Sequence, residues 1–308
     1  MSVRPFDWRD LPFLHQHRHE SIFLDSALLL TRGPLLIPGA LLSYLAPSVG
    51  VLTSVAYRDQ GQHQTLIGQF IHVSGSPYAH LTFLSPEAAL ESPLITELLD
   101  SMIGLSGERG AYRLLADVDE RSEAYESLRR SGFAIYTRQR IWQLGASLNQ
   151  QAQSKNWRPA LRQDAIAIRV LYNNLVPGLV QQVEPYVAQR PQGVVYYQKG
   201  ELLAYIELKY GHRGIWAQPF IHPDAEEVAE FLADLLGKIP GRLSRPVYIC
   251  LRSYQSWLES AIEELGAQAG PRQAVMVKHL AIQQKAARPL TLPALEAGHP
   301  EATVPFAH

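Results

Sequence analysis

The chain has 308 residues, 46% of them hydrophobic and 19% charged, with a formal net charge of −1. That is enough for one or two domains with real cores, and the balanced charge argues against a broad electrostatic pull toward nucleic acid or an anionic membrane. Cys250 is the only cysteine, so no intrachain disulfide is available and a reducing, cytoplasmic compartment is expected.

From the start, Met1 to Asp7 has no apolar signal core. Arg4-Pro5 is followed by Asp10 as a plausible N-cap, and a helical pattern runs through Leu11, Leu14 and Ile22. The apolar window from Gly33 to Leu52 is broken by Pro34, Pro38 and Pro47. It therefore reads as a short buried helix over Gly39–Leu45 rather than a membrane span, which needs about 20 apolar residues. Alternating strands over Val49–Tyr57 and Thr65–Val73 flank a turn at Arg58-Asp59-Gln60-Gly61. An apolar strand from Ala79 closes on Leu84-Ser85-Pro86-Glu87 and enters a helix. A strand over Ala111–Val118, a helix ending at Gly132 and a hairpin over Phe133–Leu144 complete the first half.

The order then recurs. Gly145 to Asn156, rich in Gln, Ser and Asn, reads as a linker. Arg158-Pro159 precedes Asp164 as Arg4-Pro5 precedes Asp10, and a helical pattern follows through Ile166, Val170, Leu171 and Leu175. Strands over Gly193–Gln198 and Leu202–Tyr210 flank the hairpin signal Lys199-Gly200-Glu201. The run from Gly214 closes on Ile221-His222-Pro223-Asp224, matching Leu84 to Glu87. A strand over Pro246–Leu251, a helix ending at Gly266 and a hairpin over Gln268–Ile282 follow. From Lys285 the chain is Pro-rich without periodicity and reads as a disordered tail. The expected division is 1–146, a linker over 147–155, 156–282 and a tail over 283–308.

A strand that ends in Pro plus an acid and enters a helix, together with Glu123-Ala124 through Ser131-Gly132-Phe133 as a last helix ending in Gly-Phe, resembles the GNAT acyltransferase superfamily. The resemblance covers both halves. It implies an α+β fold of two tandem GNAT-like domains, each a mixed, mostly antiparallel sheet flanked by helices. It also implies a cleft where the fourth and fifth strands splay, lined by Phe83 to Ser85 with Asp117 in one half and Phe220 to His222 with Arg252 in the other. The activity implied is N-acyl transfer from acetyl-CoA or another acyl-CoA to a small-molecule amine. Such a reaction needs the cofactor phosphates held, the acyl carbonyl polarised and protons moved.

The residues of the loop depart from that pattern. The family holds pyrophosphate on backbone N–H groups at a helix N-terminus, with glycines and an Arg or Gln. Over it fall Ala89, Ser92 and Leu94 in the first half and Glu226, Ala229 and Phe231 in the second. Leu84, Ser85 and Ser92 remain as cofactor-binding candidates. At the place of the thiolate's acid stand Leu128 and Ile262, leaving the nearby Tyr125 and Tyr254 as catalytic candidates. His15, His17 and His19 lack the partners of a metal site, so no metal is expected, and Cys250 on an apolar strand reads as a buried thiol. Trp216, Tyr196, Tyr197 and Tyr205 would line a pocket or fill a core. Two functions follow: an acyl-CoA-dependent N-acyltransferase with eroded loops, or a non-catalytic GNAT-fold protein that binds a small ligand, a partner or a second copy of itself.

Overall fold

The computed structural model describes residues 2–58, 64–145, 157–186, 190–225, 228–239 and 241–280. The linker and tail expectations, and Glu226, lie outside them. In the first half, β1 (Ser2–Pro5) leads to α1 (Leu11–Gln16), the two-residue β2 (Ile22–Phe23), α2 (Ser26–Arg32) and α3 (Leu36–Leu45). Next come β3 (Val51–Arg58), β4 (Gln64–His72), β5 (Tyr78–Ser85), α4 (Leu94–Glu108), β6 (Arg113–Asp119), α5 (Glu123–Arg130) and β7 (Ala134–Leu144). The second half runs β8 (Trp157–Pro159), α6 (Ala165–Leu175), α7 (Gly178–Val183), β9 (Gly193–Gln198) and β10 (Glu201–Tyr210). It continues through β11 (Ile215–Ile221), α8 (Val228–Lys238), β12 (Val247–Arg252), α9 (Glu259–Glu264) and β13 (Gln268–His279).

The repeat is visible at atomic detail. Arg4 grips Asp10 with two guanidinium nitrogens at 2.7 and 2.6 Å, and Arg158 grips Asp164 the same way at 2.7 and 2.7 Å. Each carboxylate also accepts the backbone N–H three residues before it, Asp7 at 2.9 Å and Leu161 at 2.8 Å. The two acids thus tie the entering strand to the helix start, and each stands at the N-cap position of the helix that follows, as expected, with its carboxylate turned to these partners and not to that helix.

Other expectations change. The helical pattern from Asp10 stops at Gln16, and Ile22 lies in β2. The helix expected over Gly39–Leu45 begins at Leu36, because Pro38 is tolerated in a first turn. Each hairpin expected at the end of a half is a single strand, of 11 residues in β7 and 12 in β13. Gly270 and Pro271 make no turn and fall within a register irregularity between Ala269 and Arg272.

These strands cross between halves. The sheet order is β1-β3-β4-β5-β6-β13-β7-β12-β11-β10-β9-β8, with β2 paired to β5 outside that path. So β13, the last strand of the second half, pairs with β6 of the first, while β7 of the first pairs with β12 of the second. At the centre β13 and β7 run antiparallel with Gln273 opposite Gln139, and Gln139 Nε2 donates to Gln273 Oε1 at 2.9 Å. The two glutamines follow Gly132 and Gly266 at the same spacing and are each preceded by Arg. A pseudo-twofold axis therefore passes through this pair.

Apolar alternation along the strands fills cores on both faces. Leu94, Leu98, Leu99 and Met102 of α4 pack on Leu66, Phe70 and Leu81, and Leu232, Leu235 and Leu236 of α8 pack on Ile206, Ile249 and Leu251. On the opposite face α6 and α7 cover Tyr205, Phe220 and Val275 at the seam, and Ala27 and Leu30 of α2 cover Trp216 and Cys250. Helix α2 thus leans across onto the second half. A Cβ at Gly211 would fall 2.0 Å from Thr31 O, so only glycine fits beneath that helix end.

Candidate functional site

Strands β5 and β6 are parallel neighbours only from Tyr78↔Arg113 to His80↔Leu115 and then diverge; β11 and β12 pair only from Ile215↔Val247 to Ala217↔Ile249. Each half therefore opens where the fourth and fifth strands of a GNAT sheet splay. In both openings the chain's own groups fill the gap.

In the first half the plug is Glu20–Ser26. Ile22 and Phe23 pair with Leu84 and Phe83. Leu24 N donates to Thr82 O at 2.9 Å and Leu24 O accepts from Asp117 N at 2.8 Å, so this residue bridges the divergent strands. Its side chain is fully buried in the core beneath. Several donors of the adjoining loop are already bonded. Glu87 N is bonded to Glu20 O at 2.7 Å, and the N–H groups of Ala89, Leu90, Ser92 and Ile95 go to carbonyls of the loop itself. The hydroxyls of Ser92 and Ser85 donate to Ala89 O and His17 O.

In the second half the corresponding edge atoms are Pro219 O and Ile221 N. The buried Gln255 carboxamide lies against both, and with its oxygen and nitrogen exchanged it spans them, the nitrogen donating to Pro219 O at 2.5 Å and the oxygen accepting from Ile221 N at 3.1 Å. Beyond it, His222 turns to Asp224, whose backbone N–H lies 3.3 Å from its Nδ1.

The other concentration of polar groups sits at the seam, under α6 and α7. Glu184, just past α7, accepts the Tyr136 hydroxyl from the first half, and Arg252 Nη2 lies 3.1 and 3.3 Å from its two oxygens. Tyr172 OH donates to the Glu184 carbonyl at 2.5 Å. Arg252 is only 8% exposed, and its Nη1 has no partner among the described residues. Burial opposes its charge, but Glu184 and neighbouring groups hold its pKa above the ordinary arginine value. Burial likewise pushes Asp117 up, with Arg252 pulling it back, and raises Tyr172 and Tyr186 to about 12. Tyr254 is raised by burial too. Phe220 stacks on Tyr205 with centroids 6.1 Å apart. Next to this cluster is a pocket of about 390 Å³ between β7, α7 and the turn after β12, lined by Ile135, Tyr136, Arg138, Leu179, Val180 and Tyr254 among others.

Of the residues singled out from sequence, Asp117, Phe220, Arg252 and Tyr254 converge on the seam. Phe83, Leu84 and Ser85 are buried beneath the plug. Tyr125 lies on α5 with Arg129 over its ring at 5.7 Å, and Ser92 and His222 stay in their own loops. Sequence reasoning missed Tyr136, Tyr172 and Glu184. Only the Glu-Pro step after α7 marked the last of these, and its partner Arg252 is 68 residues away. Among the described residues no group of three or more His, Cys, Asp or Glu is placed to hold a metal. No single helix among them is long and apolar enough to cross a membrane.

No family model and no curated protein matches the sequence. Solved structures do. A tandem GNAT protein from the clavulanic acid biosynthesis pathway shares 13% identity at a TM-score of 0.52, covering 91% of this chain and 99% of that one. A GCN5-related N-acetyltransferase from Sphaerobacter thermophilus gives 9% and 0.47 over 74% and 80% of the two chains. A GNAT-family acetyltransferase from Colwellia psychrerythraea gives 13% and 0.45 over 91% and 100%. The fold is accordingly that of a tandem GNAT protein, as the resemblance implied.

Proposed function

We propose that this chain is a non-catalytic tandem GNAT-fold protein that binds a small molecule at the seam between its halves and takes no acyl-CoA in either splay. The observation that carries this reading is the plug. An extended cofactor arm needs a strand edge with free N–H and C=O groups. Here Leu24 and Gln255 satisfy those groups from within the chain. Displacing Leu24 would expose a fully buried leucine, at a cost of about 1.5–3 kcal/mol, besides two backbone hydrogen bonds. The pyrophosphate would then meet a loop in which the N–H groups of Glu87, Ala89, Leu90, Ser92 and Ile95 are already bonded, with the Glu87 carboxylate beside it. Against this stands the acyltransferase reading, favoured by the likeness to a tandem GNAT protein of a biosynthetic pathway.

Calorimetric titration with acetyl-CoA separates the two. The closed splays predict no heat below about 1 mM ligand, a standard free energy weaker than roughly −4 kcal/mol. A micromolar dissociation constant that is lost on mutating the Ser92 loop or the Pro223 turn would restore the enzyme.

A further inference from the structure

We propose that the seam pocket is a site for a small amphipathic carboxylate, a ligand with one anionic end and a short aliphatic or aromatic body. The inference rests on the reading that the molecule works by binding at this seam, and it adds the chemistry of the occupant.

Four observations point to an anion. First, the pocket wall has donors left over. Arg138 lines it and uses only Nε, at 2.6 Å from Glu120 Oε1. Its two Nη groups, and the hydroxyls of Ser253 and Tyr254, make no hydrogen bond among the described residues. Second, the carboxylate and two of the backbone carbonyls nearby are taken. Glu184 serves Tyr136 and Arg252, while Pro177 O and Val180 O accept from Gln181 N and Glu184 N. Third, Arg252 lies immediately behind this wall. Ser253 and Tyr254, which line the pocket, follow it directly, and Tyr136, which also lines it, shares Glu184 with it. Its buried Nη1 is an uncompensated donor, and leaving such a group unmatched is costly. Fourth, Ile135, Pro177, Leu179 and Val180 supply an apolar side for the body of the ligand. Polar side chains beside apolar ones, in about 390 Å³, suit a small ligand with one polar and one apolar end. An amine would meet the Arg138 guanidinium with no carboxylate on the wall to answer it; a carboxylate would meet Arg138 and the hydroxyls of Ser253 and Tyr254, with the charge of Arg252 behind them.

The test uses the full chain and matched probes: hexanoate and phenylacetate against hexylamine, phenethylamine and benzyl alcohol. At about 10 mM each carboxylate is expected to raise Tm by about 2 °C or more, while the amines and the alcohol leave it unchanged. Arg138→Gln should weaken hexanoate binding about tenfold, the size of one charge-assisted hydrogen bond. Leu179→Trp, at an exposed position on the wall, should block it while leaving the Arg252–Glu184 pair and the fold intact. Arg252→Met is the sharper change but removes the partner of a buried acid, so it is read only if the variant melts cooperatively. Stabilisation by the amines equal to that by the carboxylates, binding unaffected by Leu179→Trp, or no stabilisation by either carboxylate at about 20 mM would each overturn the proposal. Acetyl-CoA binding in the separate titration would overturn the closed-splay reading and leave the carboxylate site to stand or fall on its own.

Discussion

Asp164 has the most consequential single carboxylate in the second half. Its side chain is 3% exposed, and Arg158, the backbone N–H of Leu161 and the Tyr197 hydroxyl all bond it. The hydrogen bonds from Arg158 chiefly hold its pKa down at about 2. An unfolded aspartate titrates near 3.9, so the unfolded chain binds more protons in this range. The stabilisation is complete above about pH 4 and is lost as the pH falls through 2. The shift corresponds to at most about 2.5 kcal/mol, discounted toward 1–2 because Arg158 is 38% exposed. Asp164→Asn should therefore lower stability by roughly that amount at pH 7, in urea unfolding, and by progressively less between pH 4 and pH 2. A deficit that is unchanged at pH 2 would mean that Asp164 acts through packing rather than charge.

Among the elements, the plug is where sequence and structure part most. The strands β3, β4, β5 and β6 announce themselves by alternation or by apolar runs, and the structure places each within two residues of that reading. Residues Glu20–Ser26 carry no such signal. Two residues of β2 are too few for a period, and what makes them structural is the pairing of Leu24 with Thr82 and Asp117, 58 and 93 residues away. The seam site is hidden for the same reason: Tyr136, Glu184 and Arg252 meet only because β7 crosses into the second half. Local signals do find the repeated Arg-Pro and Asp of each half, but not the ion pairs that they form, although both partners lie within one short segment. The plug's weight is measurable. Leu24→Ala removes a fully buried side chain from the first core and should cost about 2–5 kcal/mol. It should do so without creating acetyl-CoA binding, because the N–H groups of Ala89, Leu90, Ser92 and Ile95 remain bonded to carbonyls of the loop. A variant that gains micromolar affinity would show that Leu24 alone keeps the cofactor out.

At the level of the whole molecule, the exchange of β7 and β13 makes the two halves one folding unit. Each half taken alone would present β6 or β12 with an unpaired edge and carry a final strand whose partners belong to the other half. Long exposed edges are aggregation-prone or self-pairing. These three strand pairings hold the halves together independently of the chain that connects β7 to β8, so cutting that connection should not separate the halves. A protease site placed within residues 147–155 should yield, after cleavage, a one-to-one complex that elutes with the intact protein. It should unfold in urea in a single transition whose midpoint falls with dilution, because the reaction has become bimolecular. Half 1–146 expressed alone should instead pair with a second copy through the same strand, placing Gln139 against Gln139 across a true twofold, or precipitate. If the cleaved halves elute apart as folded monomers, or melt in two independent steps, then each final strand can fold back onto its own half and the crossing is one packing among two rather than the basis of the fold.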